Sequence, residues 1–162
     1  MTAGRKSKLR ILSGYDVPSE GRGHAALITL VRVFNRMTAL SARMAKQHGT
    51  TLPQFEVLLC LYEGEGISQQ DLAERLLLTK GNICIMMQKM EKAGLIERRP
   101  DPVDQRFQRL YLTRAGRELH AAILPDHIAQ WKASLQRLTL PEQKTLHELL
   151  CRIHDTLREA DE

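Results

Sequence analysis

Residues 67–113 read ISQQDLAERLLLTKGNICIMMQKMEKAGLIERRPDPVDQRFQRLYLT. Ser68 can cap a first helix, because its hydroxyl can accept a hydrogen bond from a free backbone amide one turn on. Apolar residues then recur at helical spacing as far as Leu76. A short break follows, and a second helix begins after it. Two short helices joined by a turn of three or four residues are typical of a helix-turn-helix, whose second helix enters the major groove of DNA.

The second helix has a predicted buried face and a polar start. Thr79 can cap it, and Gly94 is a typical residue just beyond a helix C-terminus. Ile83, Met87 and Met90 repeat at i, i+4 and i+7, which predicts one buried stripe. We therefore expect the opposite face of this helix to be exposed.

A basic hairpin is predicted directly after the second helix. Residues 95–99 and 108–113 read as a pair of strands. The loop between them, residues 100–107, is polar, and its prolines Pro100 and Pro102 do not suit the interior of a strand or helix. A basic hairpin tip after a helix-turn-helix is typical of the wing of a winged helix.

These segments together resemble the MarR family of bacterial transcriptional regulators. The matching pieces are ISQQDLAERL, LTKGNI, KAGLIER, DPVDQR and LTRAG, and the resemblance extends more loosely over residues 25–157. It implies a mainly α fold with a small β-hairpin wing, in which terminal dimerisation helices accompany a winged helix-turn-helix core. It also implies a regulator that binds double-stranded DNA, most often as a repressor.

Composition and the resemblance together predict three kinds of segment. Residues 1–22 are a basic, flexible arm, residues 49–114 the DNA-binding region, and residues 23–48 and 115–162 the dimerisation helices. The last helix carries a narrow apolar stripe at nearly heptad spacing, which calls for a partner. A homodimer on a pseudo-palindromic operator supplies one, since two recognition helices then meet one symmetric site. The alternative is packing between the first and last helices of one chain.

Composition and charge fit this interpretation. The net charge is +5, and residues 68–114 hold nine Lys/Arg against six Asp/Glu, a local excess of +3, as a phosphate-contacting surface requires. Aromatic residues make up only 4%, which argues against stacking on single-stranded nucleic acid. No apolar run approaches a membrane span, and the three cysteines form no disulfide framework. We therefore expect a cytoplasmic protein without a membrane partner.

Candidate DNA contacts lie at the starts of the two helices. A helix N-terminus offers free amides and a positive dipole end, so phosphates and base edges can be met there. Asn82 can pair with adenine in bidentate fashion, whereas Lys89 suits a backbone phosphate. Ile85 can touch a thymine methyl or be buried, and together with Cys84 it departs from the small or cationic residues of many relatives. The candidate contacts on the helices are Ser68, Gln69, Thr79, Lys80, Asn82 and Lys89.

In the wing, the resemblance implies that Arg106 is the tip arginine that enters the minor groove. A narrow A·T-rich groove has an enhanced negative potential, so an arginine there reads shape. Asp104 matches the family's wing aspartate, which can hold an arginine such as Arg98 or Arg106 through a bidentate bond. It can also simply cap its own loop. Gln105 stands where relatives often have arginine.

The effector is left open by the sequence. In many family members a small phenolic or aromatic acid binds between the dimer helices and the winged helix, and each lining candidate can equally be ordinary packing. A thiol sensor through Cys60 or Cys84 is a second hypothesis. A metal sensor is a third, although His120 and His127 alone are a weak signal, and we assign no metal ligands and no cofactor. The lining candidates are His24, Phe34, His48, Tyr62 and Trp131.

The sequence also bears on two other classes of protein, an enzyme and a winged helix that does not bind duplex DNA. An enzyme is not expected, because no nucleophile–base arrangement, phosphate loop or zinc-helix motif is present. A winged helix used for protein interaction or RNA binding stays open, because a fold alone does not specify a partner.

Overall fold

The computed structural model describes residues 22–76 and 78–160. Of the predicted arm, only Arg22 is among the described residues. Leu77, in the predicted break between the two helices, lies outside them. The chain divides into two compact units between Leu52 and Pro53. Its elements, in order, are α1 (Arg22–Gln47), α2 (Leu52–Glu63), β1 (Ile67–Ser68), α3 (Gln69–Arg75), α4 (Lys80–Lys92), β2 (Ile96–Pro100), β3 (Gln108–Leu112), α5 (Arg114–Leu135) and α6 (Leu140–Ala160).

Hydroxyl side chains cap three of the helices. Ser68 and Asp71 form a reciprocal capping box on α3, and the hydroxyls of Thr79 and Thr113 accept amide hydrogen bonds at the starts of α4 and α5. Each cap satisfies an amide that has no partner within its helix. Gly94 follows α4 with φ 69°, a conformation that suits glycine.

The sheet has one strand more than the predicted hairpin. The order is β1-β3-β2, and both pairs are antiparallel. Ile67 pairs with Leu110 and Ser68 with Arg109. A strand of two residues is too short to show alternation in the sequence, which is why the hairpin alone was expected.

The core of the second unit joins α2, α3, α4 and the sheet. The predicted stripe of Ile83, Met87 and Met90 is buried there. This burial fixes which face of α4 is left exposed. The other buried members of the cluster are Val57, Leu58, Leu61, Leu72, Ala73, Ile96, Leu110 and Leu112.

The first and last helices, α1 and α6, expose apolar residues. On α1 these include Leu27, Val31 and Phe34, and on α6 Ile153 and Leu157 are the last of a longer row. No buried residue is found on α6. No helix within residues 22–76 and 78–160 is long and apolar enough to cross a membrane.

In the sequence, Pro125 predicts a kink or a division of the helix that follows the wing. It lies inside α5, which runs unbroken from Arg114 to Leu135. A proline removes one backbone donor and one helical hydrogen bond, and the bonds of the neighbouring turns keep this helix in one piece.

Candidate nucleic-acid interface

The start of α4 is an open helix N-terminus. The amide of Asn82 donates to the Thr79 hydroxyl over 3.4 Å, which orients the cap, while the Asn82 side chain is exposed. Among the described residues, apart from the chain neighbours and helix backbone of Gly81, no heavy atom lies within 4 Å of the position that a Cβ on Gly81 would take. The side chain of Lys80 lies outside the described part of the structure.

One exposed face of α4 lies opposite its buried stripe. Asn82, Ile85 and Lys89 are spaced i, i+3 and i+7, and all three are exposed. The alternative that Ile85 is buried is wrong, because the residue is 55% exposed. An amide, an apolar side chain and a cation therefore share one face of the helix, while Cys84 beside them is half-buried.

The start of α3 is organised by its cap. The Ser68 hydroxyl accepts from the Asp71 amide over 3.1 Å, and the Ser68 amide donates to the Asp71 carboxylate over 3.2 Å. Hydrogen bonds from the Ser68 side chain and backbone lower the pKa of Asp71. Ser68 is thus an N-cap, and Gln69 follows it as a half-buried residue.

The wing tip presents a bidentate arginine–aspartate pair. Arg106 Nε lies 2.9 Å from Asp104 Oδ1, and Arg106 Nη2 lies 2.6 Å from Asp104 Oδ2. The same carboxylate accepts from the Arg106 amide over 3.1 Å. These bonds lower the pKa of Asp104 and keep its carboxylate ionised. The Arg106 side chain is nevertheless 86% exposed, so its second edge is available to a ligand.

The second arginine considered for Asp104 has another partner. Arg98 Nε donates to Glu91 Oε2 over 3.2 Å, which ties β2 to the last turns of α4. Arg98 therefore joins the recognition helix to the base of the wing, whereas the contact at the tip is made by Arg106.

The sequence reasoning missed the residue that closes the wing loop. Asp101 is only 4% exposed, and its carboxylate accepts from the amides of Val103 and Asp104 over 2.7 and 3.0 Å. The Arg109 guanidinium also donates to it. Hydrogen bonds from the backbone amides, reinforced by Arg109, lower the pKa of Asp101 to about 2. An aspartate that opens a proline-containing loop was the available signal.

Arg109 extends this network to the sheet. Its Nη1 donates to the Gly66 carbonyl over 3.3 Å, directly before β1. The wing loop is therefore tied to the segment that precedes α3, through one arginine on the central strand.

The candidate effector residues fall into both units. His24, Phe34 and His48 belong to the first unit, and Tyr62 and Trp131 to the second.

Within the second unit, Tyr62 and Trp131 lie at the ends of a row of rings. Tyr62 stacks on His120 with 4.1 Å between centroids, Phe55 meets the edge of His127 at 5.1 Å, and His127 meets Trp131 at 5.6 Å. Tyr62 and Trp131 are exposed, and His120 is buried. The residues in the middle of this row, Phe55, His120 and His127, were not among the candidates.

Both histidines of the row have an unsatisfied nitrogen. Among the described residues, the buried Nδ1 atoms of His120 and His127 have no hydrogen-bond partner. Burial lowers the pKa of each imidazole, because a charged ring loses its hydration there. Buried polar atoms are normally paired, so these two nitrogens are exceptions within the second unit.

Comparison with known proteins agrees with this architecture. The model of the MarR family matches residues 50–107. The chain is 31% identical to an HTH-type transcriptional regulator of Bacillus cereus over 133 residues. This alignment covers 82% of this chain and 88% of the relative.

Solved structures share the fold. A probable transcriptional regulator from Pseudomonas aeruginosa superposes with a TM-score of 0.68 at 31% identity, covering 77% of this chain and 93% of that one. The S. aureus MepR–DNA complex gives a TM-score of 0.74 at 21% identity, covering 80% and 94%, which is a likeness of fold. With its capped recognition helix and its wing, the chain belongs to the MarR family of winged-helix, DNA-binding transcriptional regulators.

Proposed function

We propose that the protein is a homodimeric repressor that binds a pseudo-palindromic operator and releases it when a small aromatic acid binds. The observation that carries the proposal is the exposed face of α4. Its residues Asn82, Ile85 and Lys89 lie opposite a fully buried stripe, so the helix can enter the major groove without disturbing the core.

The three residues of this face have different roles in the proposal. Asn82 reads a base, because an amide can donate to and accept from adenine at once. Ile85 contacts a thymine methyl, for which its exposure is favourable. Lys89 neutralises a phosphate. Backbone amides at the starts of α3 and α4, where Gln69, Thr79 and Lys80 lie, and the Ser68 hydroxyl donate hydrogen bonds to phosphates.

Arg106 enters the adjacent minor groove in this proposal. Its pairing with Asp104 restricts the guanidinium before DNA is met, so less side-chain entropy is lost on binding. The loop behind it is held by Asp101 and Arg109. The MepR structure, which shares the fold, is a complex with DNA and supports use of the fold in this way.

The dimer is proposed from the exposed apolar rows. On α6, Leu146, Ile153 and Leu157 are exposed at i, i+7 and i+11, close to the repeat of a helix that packs on another helix. On α1, Leu27, Val31 and others form a second exposed row. Apolar rows of this length are rarely left in water on a soluble protein.

The effector is proposed to contact the row of rings in the second unit. Tyr62 and Trp131 are exposed at its ends. The Nδ1 atoms of His120 and His127 are buried without a partner, so a phenol or carboxylic acid that parts the rings would supply the hydrogen bonds that these atoms lack. The function proposed is regulation of transcription rather than catalysis, in agreement with the family.

The test is footprinting on the DNA that flanks the protein's own gene, with and without phenolic acids, followed by titration of the protected duplex. We expect two half-sites about 10 base pairs apart, an affinity that falls steeply with salt and loss of protection on addition of one of the acids. A single half-site bound as tightly as the pair would contradict the dimer, and binding that does not depend on salt would contradict the DNA interface. Protection unchanged by every acid tried would contradict the effector response.

A further inference from the structure

Three metal-binding side chains share one face of α6. His147, Cys151 and His154 are spaced i, i+4 and i+7, and all three are exposed. Each of the three directly follows an apolar residue of the helix, Leu146, Leu150 or Ile153. Because successive residues of a helix point in different directions, the three donors lie beside the apolar row and not within it. Neither the DNA contacts nor the proposed dimer uses these three side chains. Imidazole nitrogen and thiolate sulfur are the donors that zinc-class metals prefer in proteins.

The first two donors already lie at the separation that a metal requires. Cys151 Sγ is 3.8 Å from Nδ1 and 3.7 Å from Nε2 of His147. With a Zn–S bond of about 2.3 Å, a Zn–N bond of about 2.0–2.1 Å and a tetrahedral angle, sulfur and nitrogen stand about 3.6 Å apart. Because sulfur is almost equally far from both ring nitrogens, the imidazole must turn to aim one of them at a shared metal. This is a side-chain rotation and requires no change in the helix.

The third donor needs a side-chain rotation. His154 Nδ1 lies 3.5 Å from Asp155 Oδ1, and the imidazole is largely exposed, so little opposes its movement. Side chains on a helix lean toward its N-terminus, which directs His154 back toward the turn that carries Cys151. As the described side chains stand, no three donors are arranged around one point, and this rotation is what completes the set.

We propose that α6 binds one zinc-class divalent metal per chain through His147, Cys151 and His154, with water in the fourth position. The thiol binds as thiolate and its proton passes to the solvent. No oxidation or reduction takes place. The bound metal links successive turns of α6 and thereby stiffens the helix that carries the proposed dimer surface. The metal site itself does not depend on the dimer or on DNA binding.

The test uses the reduced, metal-free full chain and Co²⁺ as a coloured substitute for Zn²⁺. We expect thiolate-to-cobalt charge-transfer absorption that saturates at one equivalent per chain, and its loss when Zn²⁺ displaces the Co²⁺. Cys151→Ser should abolish the absorption. His147→Ala and His154→Ala should each weaken Co²⁺ binding by more than the roughly 10-fold that loss of an outer-shell partner costs.

Matched control variants test whether metal binding is specific to these three ligands. Cys84→Ser removes a thiol from α4, and His24→Ala removes an exposed imidazole from α1, so both should leave the titration unchanged. Circular dichroism of every variant confirms that the helices are formed. Charge-transfer absorption that survives Cys151→Ser, or a His154→Ala variant that binds Co²⁺ as tightly as the parent, would overturn the three-ligand site. An absent charge-transfer band in the parent protein would overturn it as well.

Discussion

Two aspartates of the wing, three residues apart, have different tasks. Asp101 is buried and bonded to two backbone amides and to Arg109. Asp104 is partly exposed and holds Arg106 in a bidentate pair. We therefore expect Asp101 to contribute to the stability of the loop, and Asp104 to direct the arginine that meets DNA.

Asp101 should make the protein sensitive to acid. Its folded-state pKa is about 2, whereas an unperturbed aspartate has a pKa of about 3.9. The unfolded chain thus takes up the proton first, so the stability from this group is fully present above about pH 4 and is lost as the pH falls through about 2. Asp101→Asn should lower the urea midpoint at neutral pH and flatten its decline between these values.

The control for Asp101→Asn is a substitution that removes the charge of an exposed acidic residue. Glu159→Gln, on the exposed end of α6, should leave both the midpoint and its pH dependence nearly unchanged. Urea titrations of the three proteins at a series of pH values make the comparison. Equal midpoints for Asp101→Asn and the parent protein would show that Asp101 does not hold the loop.

Arg106 should affect DNA binding without affecting folding. Its side chain is exposed, and truncation of an exposed side chain changes stability by only about 0.5 kcal/mol or less. Arg106→Ala should therefore lower operator affinity sharply while the thermal midpoint stays nearly the same. Arg106→Lys should restore only part of the affinity, because an ammonium is more strongly hydrated than a guanidinium.

Two operators that differ only in A·T content beside the half-sites separate shape reading from a phosphate contact. A shape-reading arginine loses more affinity on the A·T-rich operator, whose minor groove is narrower. If Arg106→Ala weakens both operators by the same factor, Arg106 is a phosphate contact and the shape hypothesis is wrong.

At the residue scale, the sequence predicts what is local. Ser68 and Thr79 cap their helices as expected, because a cap and its amide lie three residues apart. Asp101 was missed although two of its partners, the amides of Val103 and Asp104, are local. Its bond with Arg109, eight residues away across the loop, is the part that no local rule predicts. The stacking of Tyr62 on His120 joins α2 to α5, and no spacing rule relates residues so far apart in the chain.

Among the elements, the join between α4 and α5 depends on a glycine. A Cβ on Gly116 would lie 2.1 Å from the carbonyl oxygen of Leu95, a backbone atom, and 3.3 Å from the Leu112 side chain. Gly116 is the last residue of the LTRAG segment. Only glycine lets the first turn of α5 approach the start of the wing this closely.

Substitution of Gly116 should therefore destabilise the fold. Gly116→Ala forces an element to move, and overpacking of this kind typically costs about 1–3 kcal/mol. Gly81→Ala is the matched control, because Gly81 is also helical and has open space around it. Gly81→Ala should leave the free energy of unfolding unchanged or raise it by roughly 0.5–1 kcal/mol. Thermal unfolding of both variants tests this, and equal midpoints would contradict the close approach at Gly116.

The elements themselves were largely predictable. The helix-turn-helix and wing follow from apolar periodicity, caps and turn residues, and β2 and β3 lie close to the predicted strands. Strand β1 was not predicted, because two residues carry no pattern and it forms only when β3 is beside it. Pro125 does not divide its helix, because the loss of one hydrogen bond does not break a helix of 22 residues.

At the scale of the whole molecule, the proposed dimer predicts that a charge placed in its contact surface lowers the mass of the protein in solution. Leu157 is 63% exposed at the end of the apolar row of α6. Leu157→Asp would place an unpaired charge in the dimer contact, which is costly, and should shift the protein toward monomer in sedimentation velocity. Arg152→Glu, outside the row on the same helix, should stay dimeric. A Leu157→Asp protein that sediments like the parent would show that this row does not form the dimer.

The central claim is that α4 reads sequence through one residue and anchors to phosphate through another. The most direct measurement is the affinity of the parent, Asn82→Ala and Lys89→Ala for an operator and its single-base-pair variants, at several salt concentrations. Asn82→Ala should lose about 1–3 kcal/mol on the preferred operator and relax discrimination at one base pair. Lys89→Ala should weaken every sequence alike and reduce the salt slope by about one. If both variants weaken all sequences equally, Asn82 does not read a base and the account of α4 is wrong.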